Sequence, residues 1–363
     1  MTRATALVLE GARRLSTRTF TVPPVGDDDA VLAVEACGLC GTDHEQWSGV
    51  LFGGRPLVPG HETIGRIESI GRAARRRWGV EEGERVAVEV FQRCGSCPAC
   101  VAGAYQRCEH HGLRSAYGFV SAERRPGLWG GYATHQYLAP DSQLLPVPPS
   151  LDPVVATLFN PLGAGIRWGV TLPGTAPGDI VAVLGPGIRG LSTSAAAREA
   201  GAGLIMVTGR GNRDAPRLSL ALHFGADLVV DAESADPVAA LQEATGGRLA
   251  DVVVDVTANA PSAFTQAVAL ARPGGTIVVA GTRGFVESAG FHPDLVVYRE
   301  LRILGALGVD TDSYRAALHL LGAGTYPFES LPRQVASFDE VGDLLGTMAG
   351  EAGPPPVHGV FVP

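Results

Sequence analysis

No lysine occurs in the 363 residues; all 29 basic side chains are arginines. Chemistry that needs a primary amine is thereby excluded: Schiff-base catalysis, pyridoxal-phosphate enzymes and the P-loop NTPases. Positive charge is in deficit, with 37 acidic residues against 29 basic ones and a formal charge of −8. No like-charged block is long enough for a polybasic arm, so phosphate-neutralising contact with nucleic acid is not expected. Long apolar runs are missing: nothing approaches the roughly 18 residues of a membrane span. The opening MTRATALVLE carries too short an apolar stretch for a signal peptide. Cysteine is limited to six residues, four of them bunched between 94 and 108. That pattern suits metal binding in a reducing compartment better than a disulfide framework. The expectation is a cytoplasmic protein with neither nucleic acid nor membrane as partner.

Glycine, at 48 residues, and apolar side chains, at 45%, are plentiful. The length is about twice that of a usual domain and favours two. Up to about residue 155 the chain reads as short β segments broken by Gly and Pro, with residues 30–36, 63–70 and 84–89 as examples. Beyond the prolines at 146, 148, 149 and 153 the pattern changes. Apolar strands at 180–184, 204–208, 228–230, 252–256, 276–280 and 302–304 alternate with helical stretches such as 188–200 and 216–224. Buried strands alternating with helices predict a doubly wound parallel sheet covered on both faces, and six is the strand number of a dinucleotide-binding fold. The last sixty residues break the rhythm and are expected to return to the first domain.

The first of these strands runs into Gly185-Pro186-Gly187-Ile188-Arg189-Gly190 and then an alanine-rich helix. Between strand and helix, such glycine spacing lets backbone N–H groups and a helix N-terminus meet a pyrophosphate. The next strand ends Met206-Val207-Thr208-Gly209-Arg210-Gly211-Asn212-Arg213, with no carboxylate before Asp214. NAD enzymes place Asp or Glu there for the ribose hydroxyls. Thr208, Gly209, Arg210 and Arg213 instead suit a 2′-phosphate, so NADP is favoured over NAD.

Cys94, Cys97, Cys100 and Cys108 supply four thiols at spacings that suit a closed, structural zinc site; an iron–sulfur cluster or disulfides are the other readings. Upstream, Cys40 and His61 are suitable ligands for a second, catalytic zinc, beside Thr42, Asp43, His44, Glu45 and Glu62.

The order of Cys40-Gly-x-Asp, Gly60-His61-Glu62, the four-cysteine lobe and the glycine turn resembles the zinc-dependent medium-chain dehydrogenase/reductase family, the alcohol and polyol dehydrogenases, across essentially the whole chain. The resemblance implies a GroES-like catalytic domain (residues 1–158, with the zinc lobe at about 93–109, and 305–363) interrupted by a Rossmann domain (159–304). It implies a homodimer or homotetramer, and hydride transfer between an alcohol, or its aldehyde or ketone, and NADP(H). By the same analogy Cys40 and His61 hold the catalytic zinc within the carboxylates Asp43 and Glu62, and Thr42 touches the substrate oxygen. Val256, Thr257, Ala280 and Gly281 flank the nicotinamide. The relay histidine of the family falls here on Glu45, with His44 one residue earlier, and either can pass the proton to solvent. The third-ligand position is Asn160, a neutral and poorer zinc donor than the usual carboxylate. Asn160 before Pro161 also fits a helix N-cap; Glu62 is then the third ligand, or the metal is weak or absent. Trp47, Leu51, Phe52 and Phe91 are apolar candidates for a substrate wall. Two rivals are a zinc-free NADPH-dependent reductase of an activated C=C bond and a cofactor-binding sensor without turnover.

Overall fold

The computed structural model describes residues 2–51 and 54–363. The chain divides into two compact units, one built from residues up to Asn160 together with Asp310–Pro363, the other from Pro161–Val309.

In the first unit the runs read as β from sequence pair into an antiparallel sheet. Ala30–Leu39 lies against Glu62–Ile70, which pairs with Arg85–Val88, followed by Leu144–Pro146. On its other edge Ala30–Leu39 takes His358–Phe361 from the end of the chain, and His135–Leu138 pairs with its early residues. Arg333–Ala336 completes the seven strands, parallel to His358–Phe361. A separate hairpin joins Arg3–Gly11 to Arg14–Thr21. Alternate residues of these strands fill the core: Ala30, Leu32, Ile67, Val86 and Val88 pack with Tyr117 and Trp129. Each fully buried aliphatic side chain of this kind is worth about 1.5–3 kcal/mol.

The second unit is the doubly wound sheet. Across it lie Leu228–Asp231, Leu204–Gly209, Ile180–Leu184, Ala250–Asp255, Ala271–Val279 and Arg302–Gly305, every neighbouring pair parallel. Chain order reverses direction beside Ile180–Leu184, the switch point at which such sheets bind ligands beyond their carboxyl ends. Ile180, Ala182, Leu184, Met206, Val253 and Ile277 form its apolar centre. The helix Ile188–Glu199 matches its sequence pattern, whereas the next helix, Gly211–His223, starts five residues before the predicted 216 and carries Pro216 inside it. Asp214 and Asp231 explain the earlier start: they accept the N–H groups of Arg210 and Gly211, which would otherwise lack partners at a helix N-terminus.

Asn160 is a second departure. The helix Phe159–Ile166 begins before it, so Asn160 is not an N-cap; Asp152 caps the preceding helical turn, on the N–H groups of Val154 and Val155. No helix among the described residues is long and apolar enough to cross a membrane.

Candidate functional site

Cys40 and His61 are 21 positions apart, and one feature of the sheet brings them together. Ala30–Leu39 ends one residue before Cys40, Glu62–Ile70 starts one residue after His61, and the antiparallel register sets Gly38 opposite Glu62. Ligand atoms of Cys40, His61 and Glu62 consequently lie within 4.8 Å of one another, with His61 and Glu62 buried. Gly38 makes this possible: a Cβ there would stand 2.4 Å from Glu62 Oε2.

Asp43, fully buried, ties the two loops. Its Oδ2 accepts from the N–H of Cys40 at 2.8 Å and its Oδ1 from the N–H of Gly60 at 3.4 Å. The same Oδ1 is 3.4 Å from His61 Nδ1, an ion-pair distance without hydrogen-bond alignment. Burial disfavours a charged imidazole, yet the Asp43 carboxylate and the Cys40 sulfur hold the His61 pKa well above its ordinary value. One thiol, one imidazole and one carboxylate, converging in a buried place with a carboxylate behind the histidine, fit a zinc ion's donor preferences. Thr42 Oγ1 is 3.7 Å from Cys40 Sγ. His44 Nε2 is 3.0 Å from Glu351 Oε1, and Arg13 grips the same carboxylate through two nitrogens at 2.6 and 2.7 Å. Asn160 is buried and its amide nitrogen donates to Tyr314 Oη at 2.9 Å.

The four-cysteine lobe is equally well formed. All four sulfurs lie within 4.8 Å of one another, with Cys94–Cys100 at 3.7 Å and Cys97–Cys108 at 3.9 Å. Zn–S bonds of 2.3 Å in a tetrahedron require S···S edges of about 3.8 Å. All four cysteines are free, which removes the disulfide reading. Backbone N–H groups of Cys97 and Ser96 lower the Cys94 pKa to about 5, and burial pushes Cys100 up to about 12. Phe91 belongs to the apolar packing of this lobe, with Tyr105 and Ala116. Trp47 lies beneath the Arg13 guanidinium and packs among Leu15, Phe338 and Met348. Leu51 is partly buried; Phe52 lies outside the described residues.

In the other unit Gly185 adopts φ +103°, and a Cβ on Gly190 would meet the Gly185 carbonyl oxygen at 1.9 Å, so both positions need glycine. A Cβ on Gly187 would enter open space, and no side chain caps the helix that begins at Ile188. The uncapped first turn beside open space fits a pyrophosphate. Arg189 stacks over the Trp168 ring at 5.0 Å. Val256, Thr257, Ala280 and Gly281 are the first residues beyond two central strands, at the carboxyl edge of the sheet. Thr257 is held by Asp255, which accepts from its N–H at 3.1 Å and its hydroxyl at 2.6 Å. A buried ion pair joins Asp255 to Arg283, which also donates to the Gly281 carbonyl at 2.8 Å. Arg210 and Arg213 are exposed at the end of Leu204–Gly209.

Residues 26–149 match the alcohol dehydrogenase GroES-like domain and residues 190–323 the zinc-binding dehydrogenase domain. The chain is 65% identical over 360 residues to a probable alcohol dehydrogenase of Mycobacterium tuberculosis, covering 99% of this chain and 98% of that one. The chain belongs to the zinc-dependent medium-chain dehydrogenase family. The sorbitol dehydrogenase of Bacillus subtilis is 27% identical over 344 residues, covering 94% of this chain and 92% of that one. A protein of Sinorhizobium meliloti assigned as a zinc-binding dehydrogenase and solved with NADP is 30% identical, with a TM-score of 0.85 over 100% of both chains.

Within this dehydrogenase framework several contacts escape sequence reasoning. Glu351 on His44, Tyr314 on Asn160 and Arg283 on Asp255 join residues 307, 154 and 28 positions apart. Only the third had a usable signal, an acidic residue directly after the apolar run Val252-Val253-Val254.

Proposed function

We propose that the protein is a zinc-dependent alcohol dehydrogenase that moves a hydride between an alcohol, or the corresponding aldehyde or ketone, and NADP(H). The convergence of Cys40, His61 and Glu62 carries this reading. The probable alcohol dehydrogenase at 65% identity and the NADP-bound relative support it.

Cys40, His61 and Glu62 are the ligands of the catalytic ion in this account. Glu62 takes the third place over Asn160 because it is anionic and its carboxylate lies with the Cys40 and His61 ligand atoms. Cys94, Cys97, Cys100 and Cys108 hold the structural zinc. Bound at the first site, zinc supplies a Lewis acid that lowers the pKa of an alcohol and polarises a carbonyl in the reverse direction. Asp43 fixes the Cys40 loop and steadies the His61 ring. The Thr42 hydroxyl relays the substrate proton, giving up its own as it accepts, through the cofactor ribose to His44, held by Glu351, or to its neighbour Glu45, and so to water. The glycine turn with Ile188 and Arg189 cradles the pyrophosphate, Thr208, Gly209, Arg210 and Arg213 receive the 2′-phosphate, and Val256, Thr257, Ala280 and Gly281 border the nicotinamide.

We further infer a homo-oligomer in the cytoplasm. Edge strand Arg302–Gly305 with Ile303 exposed, and Phe285, Val297 and Tyr298 open to water in the same unit, support self-association. The free thiols support a reducing compartment.

Metal analysis on purified protein tests the central reading. Two zinc ions per chain are expected, falling to one in Cys40→Ser, which should lose alcohol oxidation and keep its affinity for NADPH. Full turnover by Cys40→Ser, or enone reduction that survives chelation, replaces this reading with zinc-free C=C reduction.

A further inference from the structure

The sequence shows no carboxylate on the chain that follows Leu204–Gly209 until Asp214, yet the fold brings one there from the neighbouring strand. Glu233, two residues beyond Leu228–Asp231, reaches across so that its Oε1 is 3.2 Å from Arg210 Nη2. Its Oε2 lies over Gly211, where a Cβ would be only 2.2 Å away and where φ is +56°. Gly211 therefore leaves the room that Glu233 occupies.

Three backbone donors of this corner are already engaged. The Arg210 N–H is given to Asp214 Oδ2 at 2.9 Å, and Asp231 Oδ1 accepts the N–H groups of Gly211 at 2.7 Å and Glu233 at 3.0 Å. Arg210 is a guanidinium at this strand end, and a carboxylate already faces its charge. Both partners are well exposed, 68% and 52% of their side chains, so the pair is loosely held. A phosphate monoester, with nearly two negative charges, can displace Glu233 from Arg210, but against the pair and against a carboxylate that stays close by.

We propose that Glu233 is a specificity-determining residue that lowers the protein's preference for NADP over NAD by competing for Arg210. The proposal rests on the cofactor reading above. A carboxylate from the third strand of the βαβ series takes the electrostatic part that an acidic residue on the second strand plays in NAD enzymes.

Fluorescence titration of the full-length protein with NADPH and NADH, without substrate, tests this in the wild type, Glu233→Gln, Arg210→Gln and the double variant. Glu233→Gln should tighten NADPH about five- to tenfold, the size expected for freeing one charge from an exposed pair beside a dianion, and leave NADH within about twofold. That gain should vanish in the Arg210→Gln background. An equal shift for both dinucleotides, no shift for NADPH, or a gain that persists without Arg210 overturns the proposal while leaving the cofactor reading intact. Failure of the wild type to bind either dinucleotide overturns both.

Discussion

Replacing Gly38 by alanine isolates the link between sheet register and metal chemistry. Gly38 has ordinary negative-φ backbone, so alanine brings no conformational strain of its own, only a methyl group. That methyl would stand 2.4 Å from Glu62 Oε2, 3.1 Å from Glu62 Cβ and 3.3 Å from Thr157 Cβ. The Cβ contacts are set by the strand pairing and yield only a few tenths of an ångström, so the carboxylate must move by about 1 Å to reach an ordinary contact distance. Zinc–oxygen bonds tolerate about 0.2 Å. The expected result is a 10- to 100-fold weaker hold on the ion at Cys40 and His61, comparable to losing a supporting group. The crowding should also cost about 1–3 kcal/mol of stability. Titration with a graded zinc chelator reads the first effect and thermal melting the second. The four-cysteine lobe serves as internal reference, since its ion should leave at an unchanged chelator concentration. If Gly38→Ala releases both ions just as the wild type does, Glu62 is not a ligand and the geometric reasoning fails.

Burial keeps the Glu89 carboxyl protonated up to about pH 8, against an ordinary value of 4.5, while Tyr105 and the N–H of Phe91 bond to it. The folded state then binds the extra proton between these two values, so this contribution is full below pH 4.5 and is lost as pH rises toward 8. Glu89→Gln should flatten that decline in melting temperature between pH 5 and 8; melting curves that fall in parallel for both proteins exclude Glu89 as its source. Arg283→Met leaves Asp255 charged and buried, with 0% of its side chain exposed, and should lower urea stability by about 3–5 kcal/mol. Stability unchanged in that variant means the pair is dispensable. Light scattering should find a dimer or tetramer, shifting to monomer in a Tyr298→Glu variant; a monomeric wild type refutes the self-association inferred from the exposed edge.

The architecture was legible because burial writes itself into local pattern. Apolar strand 180–184 coincides with Ile180–Leu184, and the glycine turn after it sits at the head of a helix as expected. The two candidate metal clusters were legible because thiols are few and four of the six are bunched between 94 and 108. Elsewhere local pattern misled. The strand predicted at 276–280 extends back to Ala271, through Pro273-Gly274-Gly275 and a register shift against Ala250. Pro216 reads as a helix start and lies inside one, since the deciding acceptor, Asp231, comes from the next strand. Asn160 next to Pro161 has the local chemistry of a cap, but the helix had already begun at Phe159. Glu233 went unseen for the same reason as Asp231: a charge delivered by strand adjacency leaves no trace in spacing along the chain.

The pairing of His358–Phe361 with residues 37–39 has a consequence for biosynthesis. The strand that carries Cys40 at its tip leaves the ribosome some 320 residues ahead of the partner that seals its flank. Pro161–Val309 is continuous in sequence and has every strand it needs long before then. That unit can therefore mature first, while the sheet of the first unit stays open at one border until His358–Phe361 pairs with it.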